Sequence, residues 1–324
     1  PSLREVLDWR AQVDDRMERL LRRQPRCAAL VELGLHHEQQ HQELMRTDLL
    51  ALFALNPLKP AALPGAPLRA HTTEAAWLHC DGGLVQIGHA GGGFCFDNEL
   101  QPHRQWLAPF AISERLVTNA AYLEFIDSGG YRDPLLWLAD GWAWLQCMGR
   151  GAPQYWRNDE HRGWMEFSLH GEQVLEPQAP ARHLSLYEAD AFARWSGARL
   201  PSEAEWEHAA RTLSLADAFG ACWQWTSSSY AAYPGYQTAV GTVGEYNWKF
   251  MVNQYVLRGS SAFTPAAHAR ISYRNFFRRR RAGSRPASGL RRALASDGNT
   301  RRIDYHFTDH SGGAEIALAE HVEH

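Results

Sequence analysis

The chain has 324 residues, 45% of them hydrophobic and 21% charged, with a formal net charge of −3. This is the balance of an ordinary globular protein long enough for two domains, and it gives no reason to expect a nucleic-acid or membrane-surface partner. No run of 18 apolar residues occurs, so no segment reads as a membrane span.

From the start, Leu3, Val6, Leu7, Val13, Met17, Leu20 and Leu21 fall at helical spacing. The chain begins at Pro1 inside that pattern, so natural sequence is expected to precede it. A polar turn near Arg22 to Arg26 leads into a second helical stretch, roughly Pro25 to Ala54, in which Leu30, Leu33, Leu44, Leu49, Leu50 and Phe53 recur. There follows Asn56 to Pro67, with Pro57, Pro60, Pro64 and Pro67, which cannot continue a helix and reads as an extended linker. After Trp77, short alternating runs such as Leu84–Ile87 are broken by glycine clusters, the texture of irregular α+β structure. Thr118 is placed to cap one helix, and a second begins near Ser185 and ends at Gly197. Ser202 with Glu205 forms a capping box that opens a third. Five cysteines at no metal-type spacing, with no visible signal peptide, favour reduced thiols and a cytoplasmic location. Thirteen tryptophans fit either a well-packed core or an aromatic-lined cleft.

The stretch of most chemical interest is His36-His37-Glu38-Gln39-Gln40-His41-Gln42-Glu43. On a helix, His37 and His41 lie one turn apart on one face, where two imidazoles can ligate one transition metal. Gln40 projects beside them, and Glu43 is close enough to serve as an outer acceptor fixing an imidazole tautomer. A histidine pair at this spacing on a polar-rich helix also reads as a solvated face, and spacing alone leaves both open. A metal centre needs a third protein ligand. No histidine occurs in the first 35 residues, so that ligand lies further along or outside the chain.

The segment Leu35 to Leu44, with His37-x3-His41-x-Glu43, resembles the metal-binding motif of the DinB-like domain in ergothioneine-biosynthesis sulfoxide synthases. Arg199–Glu207, Gly220–Thr226, Val256–Ser261, Tyr273–Phe277 and Ser288–Arg291 resemble the formylglycine-generating-enzyme fold, a variant of the C-type-lectin fold. The resemblance implies an α+β protein in four parts. Residues 1–55 would be part of a DinB-like helical bundle and 56–76 a linker; 77–295 would form the C-terminal C-type-lectin-like domain, and 296–324 a disordered tail.

It further implies a non-haem Fe(II) enzyme that joins hercynine (N-α-trimethylhistidine) to a thiol, using O2, to give a sulfoxide. His37 and His41 would be two iron ligands, with the third upstream of Pro1. Gln40 would hydrogen-bond hercynine, while Asn275, Phe276 and Phe277 would line the pocket, their aromatic faces suiting a trimethylammonium group. Tyr236 and Tyr246 are the candidates for proton transfer. Where some members carry an Asp that holds a γ-glutamyl ammonium, this chain has Phe277, while Arg281 remains for a carboxylate. Free cysteine, or another small thiol or selenol, is therefore expected in preference to γ-glutamylcysteine. One rival is a selenoneine synthase joining hercynine to a selenosugar. The others are a formylglycine-generating-type oxidase, disfavoured because no cysteine follows Cys222, and a lectin-like binding module. Two departures from the pattern stand out. Ser260 replaces a glycine, which is expected to alter a tight turn, and Gly283–Ala287 replaces an aromatic-rich stretch. The histidines of the tail (His306, His310, His321, His324) are not expected to bind metal.

Overall fold

A computed structural model of the chain describes residues 1–65, 75–279, 288–289 and 291–295. Arg281, the stretch Gly283–Ala287 and the tail from 296 onward lie outside the described residues.

Helix α1 spans Leu3–Arg23. Its start is fixed by a capping box in which Ser2 Oγ accepts from Glu5 N–H and the Glu5 carboxylate accepts from Ser2 N–H. Arg22 and Arg23 in its last turn suit the negative end of the helix dipole. After a turn at Pro25–Cys27 the chain enters α2, Ala28–Leu55, whose 28 residues extend about 42 Å. None of the α1 side chains is buried among the described residues, whereas α2 buries Glu43, Thr47 and Leu50. These three recur at helical spacing, so they form one stripe that docks on the remainder of the molecule. Leu50 packs there with Phe167 and Leu169, flanked by Leu49, Phe53 and Ala54. The proline-rich segment after α2 is pinned to the same place, because the Ala62 and Leu63 N–H groups both donate to the Leu169 carbonyl.

The rest is an α+β assembly. Strands β1 (Trp77–Cys80), β4 (Phe110–Ser113) and β12 (Ala293–Ala295) form one antiparallel sheet in the order β1-β4-β12. The two-stranded pair of β2 (Gly83–Ile87) and β3 (His103–Leu107) adjoins it. Strands β5 (Trp156–Asp159), β6 (Gly163–Ser168) and β7 (Gly171–Val174) make a meander. The sheet that matters most here has the order β10-β9-β8-β11, from β8 (Trp223–Ser229), β9 (Gln254–Gly259), β10 (Asn275–Arg278) and β11 (Ser288–Gly289).

Helices α3 (Asn119–Asp127), α4 (Ala139–Met148), α5 (Leu186–Trp195) and α6 (Glu203–Thr212) surround these sheets. The expected caps are all present: Thr118 on α3, Ser185 with Glu188 on α5, and Ser202 with Glu205 on α6. Six tryptophans (Trp137, Trp144, Trp156, Trp206, Trp223 and Trp225) are buried, so much of the tryptophan count belongs to the core.

The Ser260 expectation is corrected. The tight turn after β9 takes its positive φ (+88°) at Gly259, where an added Cβ would come within 2.4 Å of the Ala218 carbonyl oxygen. Ser260 is not among the positive-φ residues; it is buried and its Oγ accepts from Gly220 N–H at 2.8 Å. Serine fits because the next residue back already carries the left-handed conformation.

Candidate functional site

Within the turns Leu35–Leu44 of α2, side chains diverge to two faces. His37 and His41 lie on the outer one. Their Nε2 atoms are 3.3 Å apart, with ring planes at 78°. Two imidazole nitrogens bonded to one first-row ion at about 2.1 Å lie about 3.0–3.4 Å apart, so the pair fits two positions of a metal centre. The His37 pKa is lowered, by burial first and by the charge of His41 second, which favours the neutral ring a metal requires. Among the described residues no cluster of three His, Cys, Asp or Glu side chains completes such a centre.

The second region supplies the groups around this pair. A short helix, α7 (Glu245–Trp248), brings the Tyr246 ring edge-on to His37, with centroids 5.5 Å apart. Tyr246 Oη donates to Gln40 Oε1 at 3.3 Å, and Gln40 Nε2 donates to Tyr273 Oη at 2.6 Å. Gln40 is thus held between two tyrosines. Burial raises the Tyr246 pKa and keeps its phenol protonated at neutral pH.

Glu43 does not serve His41. It is buried and points into the second region, where it accepts from Trp223 Nε1 (2.7 Å), Thr264 Oγ1 (3.0 Å) and Ser261 Oγ. Two residues beyond His41 is about 200° around a helix, so Glu43 necessarily faces the other way. Burial raises its pKa against the three hydrogen bonds that lower it. His36 and Gln39 lie on this inner side too. Both approach Nδ1 of buried His268, at 2.9 Å and 3.0 Å, and burial pushes the His268 pKa down to about 3.

Beneath Tyr246 a cavity of about 380 Å³ is lined by Gln40, Tyr246, Asn275, Phe276 and Arg278 among others. Asn275 Oδ1 accepts from Phe276 N–H at 2.9 Å, which fixes the amide and leaves its NH2 as the available donor. Phe276 stacks on Tyr230 (4.1 Å, 10°) and on Phe250 (5.7 Å). Phe277 borders the cavity but is mostly packed in the core. A second, largely apolar hollow of about 900 Å³ lies on the His37 side, lined by Leu30, Leu33, Phe94 and Val243. Tyr246, Asn247, Phe250 and Phe96 border both spaces.

Tyr236 borders neither space; its hydroxyl donates to Asp97 Oδ2 at 2.9 Å, and burial together with that carboxylate pushes its pKa up to about 12. Asn247 also donates to Asp97 and accepts from Tyr230 Oη, so Asp97 ties the Tyr246 helix to the loop before Glu99. The wall below rests on a buried ionic cluster in which Arg258 and Arg274 share Glu203, and Arg258 also reaches Glu207 and the Tyr273 carbonyl. Paired in this way, the charges hold Tyr273 and Asn275 in place at tolerable desolvation cost. Tyr273, Asp97 and Asn247 were not singled out from sequence. Tyr273 stands within a motif that was, but no local pattern marks its hydroxyl as the partner of Gln40, 233 residues away.

Residues 65–214 match the family described as sulfatase-modifying factor enzyme 1-like domain. The chain is 32% identical to a protein named hercynine oxygenase from Mycolicibacterium thermoresistibile, over 82% of this chain and 69% of that one. The chain belongs to the ergothioneine-biosynthesis sulfoxide synthase family.

A second hercynine oxygenase, from Mycolicibacterium smegmatis, is 31% identical over 75% of this chain and 67% of its own length. The formylglycine-generating enzyme of Streptomyces coelicolor is 34% identical, but over only 47% of this chain and 51% of that one. As a member of the sulfoxide synthase family the protein is an oxidoreductase. Its described residues include no helix long and apolar enough to cross a membrane.

Proposed function

We propose that the protein is a non-haem Fe(II), O2-dependent enzyme that joins hercynine to cysteine or another small thiol. The reaction converts an imidazole C2–H, a thiol and O2 into a C2–S sulfoxide and water, so one oxygen atom ends on sulfur and the other in water. The observation that carries this reading is the convergence of the His37 and His41 Nε2 atoms beside Tyr246 and a substrate-sized cavity. The names borne by the mycobacterial relatives support it.

His37 and His41 would hold the iron, with a third ligand outside the described residues. Iron bound there supplies O2 activation and lowers the pKa of a coordinated thiol. Gln40, fixed by Tyr273 and Tyr246, presents its amide to hercynine. Tyr246 holds a proton at Oη within reach of the same substrate and is placed to exchange it during turnover. The Phe276–Phe250 face receives the trimethylammonium group, which has no N–H to donate. Phe277 offers no carboxylate to a γ-glutamyl ammonium, so small donors are preferred, with Arg281 a further carboxylate partner. The domain division given above and a cytoplasmic setting, in which the free cysteines Cys27, Cys80, Cys95, Cys147 and Cys222 stay reduced, belong to the same reading.

The test is turnover of hercynine under air with a panel of cysteine, γ-glutamylcysteine and a selenosugar, with O2 uptake and products recorded. Sulfoxide formation fastest with cysteine is expected. No product with any donor would end the reading; γ-glutamylcysteine as best donor would end its donor assignment, and selenosugar turnover would convert it to C–Se bond formation.

A further inference from the structure

We infer that Arg278 binds the carboxylate of an amino-acid substrate in the cavity beneath Tyr246. The inference rests on reading that cavity as the substrate site.

Arg278 is the last residue of β10, and side chains two apart on a strand share a face. It therefore rises on the same side as Phe276, which stacks on Tyr230 and Phe250. Its register partner on β9, Gln254, is buried and lines the cavity as well. The charges around the space are few. Glu43 is taken up by Trp223, Ser261 and Thr264. Arg274 is buried, its guanidinium bonded to both Glu203 oxygens and to the carbonyls of Asn98 and Ala231. Arg279, one residue on, is spent elsewhere: it lies 3.6 Å from Asp140 and over the Tyr255 ring.

Arg278 differs from all of these. It is exposed, and among the described residues its guanidinium has no carboxylate within ion-pair distance and no hydrogen bond. Among the described residues lining the cavity, Arg278 thus offers an uncommitted guanidinium and Asn275 an uncommitted amide NH2. Both are donors, and a forked cation beside a second donor is a carboxylate receptor. A volume of about 380 Å³ takes a molecule of amino-acid size. An aromatic wall and a cation on one face suit a betaine, with its ammonium on the rings and its carboxylate on Arg278. The α-carboxylate of the sulfur donor is the other source of the same chemistry.

The experiment measures equilibrium binding calorimetrically, without O2, for the full chain and for Arg278→Gln and Arg278→Lys. The ligands are hercynine, cysteine and their decarboxylated analogues N,N,N-trimethylhistamine and cysteamine. Arg278→Gln is expected to weaken one of the two carboxylate ligands about 10- to 100-fold and its decarboxylated analogue less than twofold. Arg278→Lys is expected to restore part of the loss. The ligand affected identifies the source. Equal weakening of parent and analogue, no weakening of either carboxylate ligand, or no binding of either to the unaltered chain would overturn the inference. Turnover by the unaltered chain is a separate readout. Its absence alongside carboxylate-selective binding would end the proposed reaction and leave Arg278 assigned.

Discussion

On one side of α2, Glu43 and Thr47 are buried and hydrogen-bonded, and Leu50 sits in an apolar cluster. On the other side of the same turns, His37 and His41 are exposed and bond to each other. The inner face spends its polar groups on holding the helix against the β10-β9-β8-β11 sheet, while the outer face keeps two imidazoles open. A helix that serves both ends needs the two sets to be about half a turn out of phase, and a two-residue step from His41 to Glu43 gives that. The position of the open pair is therefore inherited from the closed one.

The largest effect is expected on the open face. Replacing His37 and His41 together by alanine should reduce hercynine turnover by more than about 10³-fold, measured as initial O2 uptake. Because both side chains are exposed, stability in a denaturant titration should change by no more than about 0.5 kcal/mol. A large loss of stability instead would put the pair in the structural class with Glu43.

Tyr246→Phe sharpens the contrast further, since the ring stays and only Oη is lost. We expect kcat to fall about 10²-fold with little change in KM or in melting temperature, in a full kinetic profile against both substrates. A change confined to KM would make Tyr246 a binding residue.

Glu43→Ala tests the closed face. It leaves Trp223 Nε1, Ser261 and Thr264 without their shared acceptor, which should cost about 2–3 kcal/mol by chemical denaturation. Activity should follow the folded fraction.

A pH-dependent effect concerns the floor below Leu50. His183 is buried against Tyr155, and burial pushes its pKa down to about 3. It is neutral when folded and binds a proton when unfolded, so stability should fall as the pH drops below about 6.5 and continue falling to about 3. The slope contributed is up to about 1.4 kcal/mol per pH unit. His183→Asn, which tolerates the φ of +63° at that position, should flatten the stability–pH curve in this window.

Much of this was legible in the chain itself. The caps at Thr118, Ser185 and Ser202 are local chemistry and stand where their side chains dictate. The i, i+4 spacing of His37 and His41 placed their rings together. Glu43 faces away from His41 although it is only two residues on, because neighbours in sequence are not neighbours on a helix surface. Tyr273, Asp97 and Arg278 come to the site through long loops and a sheet edge, and no local periodicity encodes such meetings. The Ser260 turn shows the converse: a substitution that looked strained is absorbed because Gly259 beside it takes the positive φ.

In the proposed function, His37 and His41, and not their neighbours, hold ferrous iron. Anaerobic titration with Fe(II) of the full chain and of single alanine variants at His36, His37 and His41 tests it most directly. Iron is expected to be retained by the unaltered chain and by His36→Ala, whose ring faces His268, and lost from His37→Ala and His41→Ala. Iron retained by both of the latter, or lost equally from His36→Ala, would contradict the account.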